Sequence, residues 1–149
     1  MEDIALYIIA EGQIDASIIH TLLDCSRYTN VYHIPAGGFN NIASMATTLR
    51  LMRSPLESDD RFLVAFDADS EKQDVIEDRI ATMHYLTGAE YDNRIGVFCF
   101  PLTIEQYLFP SAIVLRKNET DKLIDYLKEH LQDLREKEVI MQMQEFINE

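Results

Sequence analysis

The chain has 149 residues, of which 47% are apolar and 26% charged, enough for one domain with a sizeable core and the profile of a folded rather than a disordered protein. Its 26 acidic residues against 13 basic ones give a net charge of -13, spread along the chain. That excludes holding DNA or RNA by bulk electrostatics, because binding a phosphate backbone needs Lys and Arg in place of counterions; a small basic strip or a bound metal remains compatible. Cys25 and Cys99 are far apart and in no CxxC, and the four histidines show neither HxxxH nor HExxH, so neither a disulfide scaffold nor a zinc enzyme has support. The opening MEDIALYIIAEG starts with acids and its apolar run stops at Glu11, where a membrane span needs about 20 apolar residues. The expectation is a cytoplasmic protein with no membrane partner.

The elements alternate. IALYIIA (4–10) is a continuous apolar run suited to a strand buried on both faces. Residues 14–24 follow a helical period through Ile14, Ile18, Ile19, Leu22 and Leu23. Val31–Ile34 is a second strand, broken by Pro35-Ala36-Gly37-Gly38. Asn40 or Asn41 is placed to cap a helix over 41–53, ended by Ser54-Pro55 before a polar loop at 55–60. RFLVAF (61–66) is the third strand, closed by Asp67-Ala68-Asp69. Ser70 with Gln73 forms a capping-box pattern that starts a helix near Glu71, with Ile76, Ile80, Met83 and His84 inside, Tyr85 a further candidate for that side, and Thr87-Gly88 as its stop. IGVFCF (95–100) is the fourth strand, followed by a short turn or helix over 102–110. From Asn118 the pattern predicts one long helix with Ile124, Leu127, Leu131 and Leu134 on its seam; Arg135–Glu138 interrupts it and Ile140, Met143 and Ile147 resume it. Alternation of this kind calls for an α/β fold with a mostly parallel sheet, which binds ligands at the carboxyl ends of its strands. A single domain is expected over 1–149, with a core at about 4–110 and a helical extension at about 118–148.

Glu11 ends the first strand, and Asp67 and Asp69 end the third. Two residues apart in extended geometry, the aspartates share one side, and they meet Glu11 if strands one and three are neighbours. Converging carboxylates repel, and one would take up a proton unless a cation compensates. Hard oxygen ligands suit Mg²⁺ or Mn²⁺, and the chemistry expected is metal-assisted work on a phosphodiester or phosphate. Each acid also has a structural reading: Asp69 as a helix cap, Asp15 as a first-turn acid, and Gly12, Gly37 and Gly38 as turn glycines.

These residues resemble the TOPRIM domain, whose hallmark is a Glu after its first strand and a DxD after a later one. Glu11 stands in YIIAEGQIDASIIHTLL, and Asp67 and Asp69 in FLVAFDADSEK. The run Glu11-Gly12-Gln13-Ile14-Asp15 resembles the EGxTD opening of OLD-type nucleases and small stand-alone members, with Ile14 where Thr is usual. IPAGGFNNI resembles their glycine-bearing second strand and turn. The resemblance spans about residues 4–110. It implies a Rossmann-like sheet of about four parallel strands, Glu11 as metal ligand or general acid/base, and Asp67 and Asp69 as Mg²⁺ ligands. Glu105 in TIEQYL resembles an acid that completes a second metal site in OLD-type members. Glu71 stands where topoisomerases carry the last acid of DxDxD. No GxxxxGKS/T is present, so an ATPase would be a separate chain.

The function expected is Mg²⁺- or Mn²⁺-dependent cleavage of nucleic acid, DNA ahead of RNA. Catalysis falls to Glu11, Asp67 and Asp69, and Glu105, Asp15 or Glu71 complete the metal set. Gly12, Gly37, Gly38 and Lys72, with Arg50 and Arg53, are the candidate substrate contacts. Partners are a separate ATPase or DNA-binding subunit, or a second copy docked through the C-terminal helix. The alternative is a non-catalytic module that holds a metal, nucleotide or partner; the net charge favours it, since a nuclease this acidic repels its substrate. A receiver-like domain would also gather acids around Mg²⁺ but needs a strand-terminal Lys, and the fourth strand ends Phe100-Pro101.

Overall fold

The computed structural model describes residues 3–53, 59–111 and 120–149. Four strands, β1 (Ala5–Ala10), β2 (Asn30–Pro35), β3 (Arg61–Asp67) and β4 (Ile95–Phe100), form one sheet in the order β2-β1-β3-β4, and every pair is parallel. The two central strands are buried on both faces, which is why β1 is apolar at all six positions rather than alternating. Helices α1 (Gln13–Leu22), α2 (Phe39–Arg53) and α3 (Gln73–Thr87) make the crossovers, and a 3₁₀ turn (Ala89–Tyr91) leads into β4. The α/β architecture with a parallel sheet is the one the alternating pattern calls for.

The sheet divides the core in two. Leu6, Ile8 and Ala10 of β1 face α1 and the C-terminal helices. Tyr7 and Ile9 face α2 and α3, with Phe62, Val64 and Phe66 beside them. Below the sheet, Asp60 is buried and accepts the Ala5 amide at 2.9 Å, so the polar loop expected over 55–60 ends in an internal anchor; its residues 55–58, and the Ser54-Pro55 helix stop, lie outside the described residues.

Three boundaries differ from the sequence pattern. α3 begins at Gln73 rather than near Glu71, because Ser70 Oγ accepts the Lys72 amide (3.1 Å) in a local turn and makes no capping box. α2 begins at Phe39, with the Ile42 amide on the Gly38 carbonyl at 3.1 Å, so Asn40 and Asn41 lie inside its first turn. The long C-terminal helix is three: α5 (Thr120–Glu129), α6 (Leu131–Arg135) and α7 (Glu138–Asn148), after a short α4 (Ile104–Leu108). His130 leaves the helical region (φ -115°, ψ 19°) and Lys137 is extended (φ -66°, ψ 141°), and these two breaks fold the segment back over the sheet. Asn118, where the sequence pattern starts this helix, lies outside the described residues.

Leu123, Leu127, Leu134, Ile140, Met143 and Ile147 of that segment are buried in the chain's own core. Of the apolar seam put forward for docking a partner or second copy, Leu127, Leu134, Ile140, Met143 and Ile147 are buried in this core and Ile124 and Leu131 are half-buried against it. Among the described residues no helix is long and apolar enough to cross a membrane. Met143→Ala, at a fully buried site on α7, should lower unfolding stability by about 2–5 kcal/mol in a single urea transition. A docking helix loosely attached to the core would leave that transition unmoved.

Candidate functional site

The strand order reverses between β1 and β3: the chain steps from β1 to β2 on one side, then crosses back to β3 and β4 on the other. The crevice at such a switch point, beyond the strands' carboxyl ends, is where α/β sheets bind ligands. Glu11 follows β1 directly and Asp67 is the last residue of β3, so both stand on this rim. The β3 and β4 loops are laced together there: the Ala68 amide bonds the Phe100 carbonyl, the Asp69 amide the Leu102 carbonyl (both 2.9 Å), and the Leu102 amide the Ser70 carbonyl (3.1 Å).

Asp67 alternates with Phe66 and so projects toward the α1 and α4 side, where its Oδ1 accepts the Ile104 amide at 2.8 Å. That bond ties α4 to the rim and brings Glu105 with it. Asp15, in the first turn of α1, approaches the same space: a Cβ on Gly12 would stand 3.9 Å from Asp15 Oδ2. Asp69 departs from the expected extended DxD. Its φ of 55° is left-handed, a conformation Asp tolerates better than most residues, and it turns the chain into the loop that pairs with Leu102.

The carboxylates feel one another. Burial, then the charges of Glu11, Asp15 and Glu105, push Asp67 up to about 7, against the pull of the Ile104 amide. Burial, Glu105 and Glu11 push Asp15 up to about 6. Burial also raises Glu11, with Asp69 and Glu105 adding to it, while the Asp67 amide and the Arg79 guanidinium oppose it. Five of the six candidate acids therefore share one electrostatic neighbourhood. Glu71 is the exception: it is exposed, and none of these shifts traces to it.

The glycines differ among themselves. Gly37 has φ 87°, which only glycine adopts without strain, whereas Gly12 is an extended helix N-cap. Beside Gly38 no atom lies within 4 Å of where a Cβ would stand, so the loop after β2 leaves open space. Lys72 is an exposed N-cap of α3, and the side chains of Arg50 and Arg53 lie outside the described residues. The cation whose field reaches Glu11 is instead Arg79, six residues into α3. Its signal in the sequence is a charge three residues after Ile76 and four before Met83, on the helix's inward stripe. A second arrangement without a sequence motif joins α1 to β2: His20 Nδ1 lies 2.7 Å from His33 Nε2, and His33 Nδ1 lies 3.0 Å from Gln13 Nε2.

The donor chemistry of the rim, all carboxylate oxygen and more negative than burial tolerates, suits a hard divalent cation. Among the described residues no three His, Cys, Asp or Glu side chains already stand as a metal-holding group, so taking up an ion requires the carboxylates to draw in. No family model, curated protein or solved structure matches the chain.

The raised values fix a pH dependence. Folded Asp67 and Asp15 hold protons that the unfolded chain has lost above about 4, so the stabilisation is full below that pH and disappears as pH rises through about 6 to 7. Without divalent ions the protein should melt at lower temperature at pH 8 than at pH 5. Asp67→Asn should flatten the difference and stabilise the fold at pH 8 by on the order of 1–2 kcal/mol, solvent screening limiting the gain. Parallel thermal melts of the two proteins across this range test it.

Proposed function

We propose that the chain is a TOPRIM-like, Mg²⁺- or Mn²⁺-dependent phosphodiesterase acting on nucleic acid. The observation that carries this reading is the gathering of carboxylates from four segments at the switch point of a parallel sheet, with Asp67 pushed up to about 7. A half-buried acidic cluster of this kind costs stability, and perturbed carboxylates in a crevice are a mark of functional sites. The EG after β1 and the DxD after β3, in the order and strand context of the TOPRIM hallmark, direct the reading to phosphodiester chemistry.

Glu11 and Asp67 would be the principal ligands, with Asp69, Asp15 and Glu105 on the rim to complete the set. A divalent ion held there would activate a water and offset charge on the leaving oxygen of the scissile phosphate. The Ile104 amide holds Asp67 in place, and the Asp67 amide favours the ionised form of Glu11. Where Glu11 is not a ligand, its raised affinity for protons suits it to take one from water or return one to the leaving oxygen. The open space at Gly38 leaves an approach for a nucleic-acid backbone.

The other reading, binding without cleavage, is favoured by the net charge of -13 and by the absence, among the described residues, of a preset metal-holding group. In that case a partner with basic surface, such as an ATPase or DNA-binding subunit, would supply what this chain lacks.

Nicking of supercoiled plasmid and degradation of single-stranded DNA and RNA in Mg²⁺ and in Mn²⁺ separate the two. Metal-dependent cutting is expected from the wild-type protein and should be abolished in Asp67→Asn and in Glu11→Gln, each with an intact circular dichroism spectrum. A well-folded wild-type protein that cuts none of these substrates in either metal would overturn the catalytic reading.

A further inference from the structure

A protein this acidic needs positive charge at the point where a phosphate is to sit, and the described residues offer little of it near the rim. Arg79 is half-buried on α3, and its guanidinium carbon lies 5.4 Å from the centre of the Phe39 ring. Phe39 meets Phe66 edge-on, with ring centres 5.1 Å apart at 89°. Phe66 is buried and immediately precedes Asp67. A continuous chain of contacts, Phe66 to Phe39 to Arg79, thus runs from the strand that carries Asp67 to the guanidinium.

The Phe39 ring holds the cation through its π face without using the five N–H donors, which stay available to another partner. Among the described residues the guanidinium makes no hydrogen bond or ion pair, although its field reaches both Glu11 and Cys99. It is near enough to the acids to feel them and is not consumed by them. The loop that presents Phe39 is the Gly37-Gly38 turn, with its open space at Gly38. An anchored and unspent guanidinium held against an aromatic ring has the features of a phosphate contact.

We propose that Arg79, oriented by Phe39, is the substrate-binding residue for a phosphate of the nucleic-acid backbone at this rim. The inference rests on the phosphodiesterase reading and adds to it the residue that offsets the chain's repulsion of its substrate. Arg79 forms charge-assisted hydrogen bonds to the non-bridging oxygens, and no covalent step involves it.

The test is binding of a short fluorescein-labelled single-stranded DNA in Ca²⁺, read by anisotropy over a range of NaCl, beside cleavage in Mg²⁺ and Mn²⁺. Arg79→Ala and Arg79→Gln should raise Kd about ten- to a hundredfold and lower the slope of log K against log salt by about one. Arg79→Lys should fall between them and the wild-type protein, because it keeps the charge and loses the planar fork. Phe39→Leu should weaken binding while leaving the salt slope at its wild-type value, and the cleavage defect of Arg79→Gln should lie mainly in KM. Lys128→Ala removes one positive charge from α5 and should bind as the wild-type protein does. Wild-type binding and salt slope in both folded Arg79 variants, with wild-type cutting intact, would overturn the assignment of Arg79 and leave the nuclease reading standing. No binding and no cutting by the wild-type protein would overturn that reading and this inference with it.

Discussion

The parallel pairing of β1 with β3 is the constraint on which the site depends. The register sets Leu6 against Arg61 and Ile9 against Val64, and continued upward it puts Glu11 opposite Phe66, one residue short of Asp67. Because both strands are buried on both faces, each side chain has a fixed place in one of two cores, and a slip by one residue would exchange the faces of a whole strand. The Asp60 carboxylate on the Ala5 amide ties the opposite end of the same pair. Packing that gains nothing from chemistry thus determines which acids meet.

What they meet in is an unfavourable balance. Burial and like charge raise Glu11, Asp15 and Asp67 together, and the opposing contributions are modest: backbone amides from Ile104, Gly12 and Asp67, and the field of Arg79. Asp69 adds a left-handed backbone, held by the exchange of amides and carbonyls with Leu102 and Ser70. Strain and repulsion at one rim, supported by a well-packed sheet, are the usual relation between a functional site and its scaffold. A cation placed among these oxygens would relieve the repulsion, and the Arg79 guanidinium over the Phe39 ring is matched to the anion such a cation would attract.

Most of the fold is legible in the sequence because its strongest signals are local. IALYIIA and RFLVAF can only be doubly buried strands, and Gly88 stops α3 with φ 74°. Glu11 and Asp67 are legible for the same reason, since each ends such a run. The rest depends on contacts distant in sequence. Asp69 does not share the extended geometry of Asp67, because the β4 loop captures its backbone. Ser70 turns the chain before α3 instead of capping it. The C-terminal helix breaks at His130 and Lys137 so that Leu127, Leu134 and Met143 all enter one core, which a helical period alone does not encode. Arg79 is hidden among the apolar positions of an inward stripe, and its significance comes from Phe39, forty residues earlier on another helix.

Calorimetric titration of Mn²⁺ into the wild-type protein and Asp67→Asn at pH 8 tests the central claim, that the rim between β1 and β3 is a divalent-cation site. Saturable binding by the wild-type protein is expected, with at least about a tenfold loss of affinity in the variant, the scale that follows removal of a charged ligand group. No saturable binding to the folded wild-type protein, or equal affinity in the two, would contradict it.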